Sequence, residues 1–174
     1  ALTLPAADEL WLHAFSQGVA AAVTEYQLPL VGGDTTRGPL TITVQVLGAL
    51  PADRALLRGG AAPGDELYVS GTLGDAAAAL AFLAGDWRPP PEQAEYLLDR
   101  FNRPRARIAL GLELLGSATA AIDISDGLLA DAGHIAAASG VRLLIEPELL
   151  PLSPALAAHP SRDQALRWAL AGGD

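Results

Sequence analysis

Ala121-Ile122-Asp123-Ile124-Ser125-Asp126-Gly127-Leu128 joins an apolar run to the start of a helical pattern. Residues 118–124 read as a buried strand, and the segment after Gly127 reads as a helix to about residue 139. A buried strand does not carry a carboxylate without a partner, because burying an unpaired charge is very costly. Strand alternation puts Asp123 and Ser125 on the same side, and Asp126 then falls at the helix entry beside them. Two carboxylates and a hydroxyl converge next to exposed helix N–H groups, which outlines a site for metal and phosphate. The competing reading is that Ser125 or Asp126 is simply the helix N-cap. A cap accounts for one of these residues but not for Asp123 on an apolar strand.

Working outward, strands and helices mix without strict βαβ alternation, so the pattern predicts an α+β fold rather than a doubly wound sheet. Residues 1–4 read as a strand end. Residues 7–27 read as a helix with an apolar stripe of Trp11, Phe15, Val19, Ala22 and Tyr26. Residues 28–31 predict a short strand running into Gly32-Gly33-Asp34. Residues 40–47 alternate, with Leu40, Ile42, Val44 and Val46 on one side, and predict a half-buried antiparallel strand. The irregular stretch 51–64 marks a domain boundary, and residues 67–70 predict a strand ending at Gly71. An Ala-rich helix follows over 75–84, closed by Gly85. Further helices are expected from Pro91 to Phe101, from Pro104 to about Leu115, and over 164–170 before Gly172-Gly173. Residues 141–145 predict one more strand.

Composition limits the function. Of 174 residues, 51% are hydrophobic and 18% charged, which is enough to bury a core. Eleven Lys+Arg against 20 Asp+Glu give a formal net charge of -9, which argues against a nonspecific nucleic-acid binder. Such a charge suits ligands presented through Mg²⁺ or Ca²⁺. The absence of Cys excludes disulfide scaffolds, thiolate zinc sites and cysteine nucleophiles. The longest strongly apolar run, residues 76–84, falls far short of the ~20 residues that cross a bilayer. No basic segment precedes an apolar run in signal-peptide fashion, so a soluble cytoplasmic protein without membrane contact is expected. There is no Met, and both ends of the sequence read as cut.

The Walker and Rossmann glycine signatures are absent. His13, His134 and His159 lack metal-ligand spacing and read as surface or capping residues. Gly32-Gly33-Asp34-Thr35-Thr36-Arg37-Gly38 combines glycines that allow close backbone approach with a carboxylate for a hard cation. Its hydroxyls and Arg37 suit phosphate oxygens. A hairpin loop with a solvated Asp is the competing reading. Arg58-Gly59-Gly60 can reach a phosphate across a cleft, or Arg58 is a solvated linker residue. Gly71-Thr72-Leu73-Gly74-Asp75 begins either an anion site or a capped helix.

Together, Leu28-Pro-Leu-Val-Gly-Gly-Asp-Thr-Thr-Arg-Gly-Pro39, Gly64-Asp-Glu-Leu-Tyr-Val-Ser-Gly-Thr-Leu-Gly-Asp75, Ala121 to Leu128 and Trp168-Ala-Leu-Ala-Gly-Gly-Asp174 resemble the bacterial thiamine-monophosphate kinase family. The wider superfamily includes aminoimidazole ribonucleotide synthetase, selenophosphate synthetase and a hydrogenase maturation protein. The Thr-Thr-Arg-Gly run resembles the kinase.

The resemblance implies a two-domain aminoimidazole ribonucleotide synthetase-like architecture, α+β, with both domains incomplete in this chain. Residues 1–57 would close the N-terminal ATP-binding and dimerisation domain, and residues 58–174 would begin the C-terminal domain. It also implies a homodimer joined through the first domain's sheet. The implied reaction moves the γ-phosphoryl group of ATP to thiamine monophosphate, giving thiamine diphosphate and ADP with several Mg²⁺ ions. By position, Gly33 and Asp34 would contact nucleotide, and Asp34 would also hold Mg²⁺. Arg58 and Ser125 would contact ATP, and Asp123 and Asp126 would bind Mg²⁺. The family usually carries Glu, touching the thiamine substrate, where Asp174 stands; Asp is one methylene shorter. The family's chain is longer at both ends and carries further Mg²⁺-binding aspartates upstream, so this stretch alone is expected to be inactive. A reading from a different class is a noncatalytic nucleotide-binding or dimerisation module.

No general base or covalent nucleophile is expected. The attacking phosphate oxygen is already ionised near neutral pH, and the obstacle is repulsion between two polyanions.

Overall fold

The computed structural model describes residues 1–52 and 54–173. Contacts divide the chain into two compact units, Ala1–Leu50 and Pro51–Asp174.

The first unit is built around β1 (Leu2–Leu4), α1 (Glu9–Tyr26), β2 (Thr35–Arg37) and β3 (Thr41–Ile42). Asp8 caps α1 by accepting the Trp11 N–H at 3.1 Å. Trp11 and Phe15, one turn apart, stack with centroids 5.1 Å apart. The strand order is β2-β1-β3, with β2 parallel and β3 antiparallel to β1. Leu2 pairs with Thr35 on one side and with Ile42 on the other. The Thr3 and Thr36 hydroxyls meet across the parallel pair at 3.1 Å.

Two strand expectations change here. Residues 28–31 join no ladder; the strand begins after Asp34 rather than before it. Of residues 40–47 only Thr41–Ile42 pair in the ladder, with one further backbone bond from Thr43 N to the Ala1 carbonyl at 2.9 Å. Leu40, Ile42, Val44 and Val46 are exposed.

The second unit is helical in its regular structure: α2 (Asp75–Ala84), α3 (Pro91–Asn102), α4 (Ile108–Glu113), α5 (Leu128–Ser139), a 3-10 turn (Pro147–Leu149), α6 (Pro154–Ala157) and α7 (Arg162–Ala171). The small residues Ala78 and Ala79 let α2 approach its neighbours closely. They are buried with Leu97 of α3, Ala155 and Leu156 of α6, and Ala165 of α7. Trp87, Phe101, Leu152 and Trp168 close this cluster. A second cluster joins Leu73, Leu128 of α5 and Ala169 of α7. Asp75, the first residue of α2, is fully buried. It accepts from Ser153 Oγ at 2.5 Å, Thr72 Oγ1 at 2.6 Å and Tyr96 Oη at 3.0 Å, with Arg100 Nε at 3.7 Å. This anchor replaces both sequence readings of the Gly71–Asp75 stretch: the carboxylate faces inward, and no side chain caps α2.

Residues 67–70, 118–124 and 141–145 join no ladder among the described residues. Their apolar patterns suit strands, but a strand exists only when a second segment supplies its hydrogen bonds. Residues 118–124 receive one such backbone bond, from the Ala121 N–H to the Leu57 carbonyl at 2.9 Å. The helix expected over 104–115 is the shorter α4, because residues 104–107 stay irregular. No helix among the described residues is long and apolar enough to cross a membrane.

Candidate functional site

The turn before α5 is shaped by a residue that sequence reasoning missed. Asp131 lies one helical turn inside α5 and is 2% exposed. Its Oδ2 accepts three backbone N–H groups in succession, from Ser125 at 2.9 Å, Asp126 at 3.0 Å and Gly127 at 3.1 Å. A carboxylate there is favoured twice, by the hydrogen bonds and by the positive end of the helix dipole. The sequence signal was an Asp among Leu128-Leu129-Ala130 and Ala132, at the start of a largely apolar helix.

The N-cap position of α5 is Gly127, and no side chain caps the helix. Neither Ser125 nor Asp126 therefore acts as the cap that the bland reading required. The argument for Asp123 needs a correction as well. Asp123 is exposed rather than buried, while Ile122 and Ile124 on either side are half-buried. The alternation holds, and it turns Asp123 and Ser125 outward. Asp126 is also exposed. None of these three side chains has a hydrogen-bond or ion-pair partner among the described residues, whereas the turn that carries them is tightly held.

The turn is held from a second side by the end of α7. A Cβ on Gly127 (φ 112°) would stand 2.8 Å from the Ala171 carbonyl carbon, and one on Gly173 would stand 2.0 Å from the Ser125 carbonyl oxygen. The Gly172-Gly173 pair thus does more than stop a helix: its bare backbone lies against the turn. Asp174 lies outside the described residues.

Arg58 is exposed, and its backbone is fixed. Ser139 Oγ, at the C-terminal end of α5, accepts from Gly60 N at 3.2 Å and Ala61 N at 3.1 Å. Gly60 (φ 135°) leaves no room for a Cβ, which would stand 2.4 Å from the Thr119 carbonyl oxygen. Leu57 meets Ala121, two residues before Asp123, so the Arg58 stretch runs beside the segment that carries Asp123. Asp65 fastens the next loop, accepting from Ala62 N at 2.9 Å and Thr119 Oγ1 at 2.7 Å. The Ala62 bond, helped by Thr119, holds its carboxyl below the ordinary Asp range.

In the first unit, Gly32, Gly33 and Asp34 are exposed. Open space surrounds the Cα of both glycines. Asp34 Oδ1 accepts from Thr35 N at 2.8 Å, and the Asp34 carbonyl accepts from Leu2 N at 2.9 Å, so the loop is set by β1 and β2.

The donor set matches a hard cation. Mg²⁺ binds oxygen ligands and commonly takes one or two carboxylates, completing its shell with water and substrate phosphates. Asp123 and Asp126 supply that number. No group of three or more acidic, His or Cys side chains gathers as a cage among the described residues.

Residues 1–50 match the family described as AIR synthase related protein, N-terminal domain. The whole chain is 51% identical to thiamine-monophosphate kinase of Salmonella typhimurium, of which it covers 54%. The crystal structure of thiamine-monophosphate kinase from Stenotrophomonas maltophilia K279a aligns with 99% of this chain and 56% of its own, at TM-score 0.89 and 43% identity. A second solved structure, AaThiL complexed with AMPPCP and TMP, aligns with 99% of this chain and 57% of its own, at TM-score 0.82 and 34% identity. The chain spans about half the length of the curated relatives it matches, and the similarity to those thiamine-monophosphate kinases runs along the whole chain. It shares their α+β fold, with both domains represented in part.

Proposed function

We propose that this chain is a segment of a thiamine-monophosphate kinase, which transfers the γ-phosphoryl group of ATP to the phosphate of thiamine monophosphate. The observation that carries the reading is the turn at 125–127. Its backbone is fixed by Asp131, while Asp123, Ser125 and Asp126 stand outward with no partner among the described residues. Exposed oxygens on a rigid frame suit a ligand better than they suit stability. The relatives support the same reading, including the one complexed with AMPPCP and TMP.

A phosphate oxygen of thiamine monophosphate attacks the γ-phosphorus in line. The bond from that phosphorus to the β–γ bridging oxygen breaks, and ADP leaves with the electron pair. Mg²⁺, when bound, would supply neutralisation of phosphate charge between the two polyanions. Asp123 and Asp126 would hold Mg²⁺ in the second unit, and Asp34 would hold a Mg²⁺ ion in the first. Gly33 lets the backbone approach the nucleotide without a side chain in the way. Ser125 donates its hydroxyl to ATP. Arg58 pairs with a nucleotide phosphate, a charge-assisted contact that its fixed backbone aims. Asp174 touches the thiamine substrate. No residue is needed as a general base, because the nucleophile is already ionised.

In this reading residues 1–57 belong to the ATP-binding and dimerisation domain and residues 58–174 to the domain that follows. The exposed apolar side chains Leu40, Ile42, Val44 and Val46 support a homodimer built on the first domain's sheet. The place of work is the cytoplasm, where ATP and Mg²⁺ are plentiful.

The test is incubation of the full-length protein with ATP, Mg²⁺ and thiamine monophosphate, followed by chromatography of the thiamine phosphates. Thiamine diphosphate formed only when all three are present supports the reading. ATP binding without product would leave a noncatalytic nucleotide-binding module.

A further inference from the structure

We propose that Asp131 is a positioning residue for the phosphoryl transfer: its buried carboxylate holds the 125–127 turn in the one shape that faces a magnesium ion. The inference rests on the kinase reading above and adds a residue to it.

Three consecutive N–H groups point at one oxygen, Asp131 Oδ2, between 2.9 and 3.1 Å. Consecutive N–H groups at a helix start ordinarily form a cradle for phosphate. Here a built-in carboxylate fills that cradle. With the three N–H groups turned inward, the outward side chains of residues 123–126 are Asp123, Ser125 and Asp126, and all three present oxygen. Asp131 therefore does two things. It removes the turn's attraction for a bare phosphate oxygen, and it fixes the spacing of the oxygens that meet a cation.

The opposite side of the turn leaves little slack. Ala171 stands where a Gly127 side chain would go, and Gly173 packs on the Ser125 carbonyl. A turn braced on both sides cannot re-form its geometry cheaply once the carboxylate is gone. Residues that orient metal ligands from behind typically cost about 10–100-fold in metal affinity or activity when changed.

The experiment measures turnover against Mg²⁺ concentration at saturating ATP in the full-length protein, and beside it Mg²⁺ binding to the same protein by titration calorimetry, in which a variant's dissociation constant should shift in step with its turnover curve. The variants are Asp131→Ala, Asp131→Asn, Asp126→Asn and, as a control for stability alone, Leu156→Ala. Leu156 lies in the other buried cluster of the same unit. Asp131→Ala should raise the Mg²⁺ concentration for half-maximal turnover about tenfold or more. Asp131→Asn keeps an acceptor oxygen but not the charge and should fall between it and wild type. Leu156→Ala should lower the unfolding midpoint with an unmoved Mg²⁺ curve. If Asp131→Ala does not fold, the Asn variant carries the test. An unmoved Mg²⁺ curve in the folded Asp131 variants, beside a shifted curve for Asp126→Asn, overturns the positioning role and leaves the kinase reading standing. An equal shift in Leu156→Ala also overturns the positioning role. Unmoved curves in both the Asp131 and Asp126 variants overturn the metal-site reading beneath it.

Discussion

Replacing Gly127 with Ala adds one methyl group at the most confined point of the candidate site. Gly127 has φ 112° and ψ 151°, a backbone region that glycine alone occupies readily. The new Cβ would stand 2.8 Å from the Ala171 carbonyl carbon, 2.9 Å from its oxygen and 3.0 Å from its Cα. All three are backbone atoms, so no rotamer change relieves the collision. Backbone strain of about 1–3 kcal/mol and overpacking of about 1–3 kcal/mol add to a loss of about 2–6 kcal/mol. Gly133→Ala is the internal contrast. Gly133 is exposed in the middle of α5, has no positive φ, and a Cβ there meets nothing within 4 Å. Ala at such a position stabilises by about 0.5–1 kcal/mol. The same atom added six residues apart should thus move stability in opposite directions. Urea denaturation of the full-length protein reads both values. A Gly127→Ala variant within about 0.5 kcal/mol of wild type would refute the packing of α7 on the turn.

The exposed carboxylates should separate stability from activity: Asp123→Asn and Asp126→Asn should each cut turnover strongly while shifting unfolding free energy by no more than about 0.5 kcal/mol, read by steady-state kinetics beside urea denaturation. The buried carboxylate Asp75 should do the reverse in magnitude, with Asp75→Ala costing about 3–5 kcal/mol in the same denaturation, because three hydroxyls and Arg100 lose a shared charged partner. Alkali should act at the same place. Burial raises the Tyr96 hydroxyl above the ordinary tyrosine range, with the Thr72 bond opposing and the Asp75 carboxylate adding to it. A raised folded value means that its contribution is fully present below the unfolded value of about 10 and is lost as pH climbs through the raised one. Stability measured above pH 10 should therefore fall less steeply with pH in Tyr96→Phe than in wild type.

The longer helices α1, α2, α3, α5 and α7 were legible in the sequence because their causes are local, whereas the short α6 (Pro154–Ala157) was not read. Gly85 and Gly140 end α2 and α5 with left-handed backbone, Pro91 opens α3, and Ser161 caps α7 by accepting from Gln164 N. Of the strands, residues 1–4 were legible as β1 and residues 40–47 in part as β3, but 28–31, 67–70, 118–124 and 141–145 join no ladder among the described residues, because the partner of a strand lies far along the chain. Residues 118–124 alternate as a strand should, yet among the described residues their one backbone bond to a distant segment is to Leu57. The outward side of that alternation was legible, and it placed Asp123 and Ser125 together; the inference that Asp123 is buried failed. Asp131 escaped notice because a carboxylate within a helix reads as an ordinary surface charge. Only the fold shows three N–H groups converging on it. The Gly172-Gly173 pair likewise read as a helix stop, and its contact with Ser125 needed the tertiary structure.

Phosphorus NMR of the full-length protein with ATP, Mg²⁺ and thiamine monophosphate tests the central claim most directly, because it follows donor and acceptor in one sample. The account predicts that the thiamine monophosphate signal is replaced by the two phosphorus signals of thiamine diphosphate, in step with conversion of ATP to ADP and without inorganic phosphate. ATP consumed to ADP and inorganic phosphate with thiamine monophosphate untouched would contradict it.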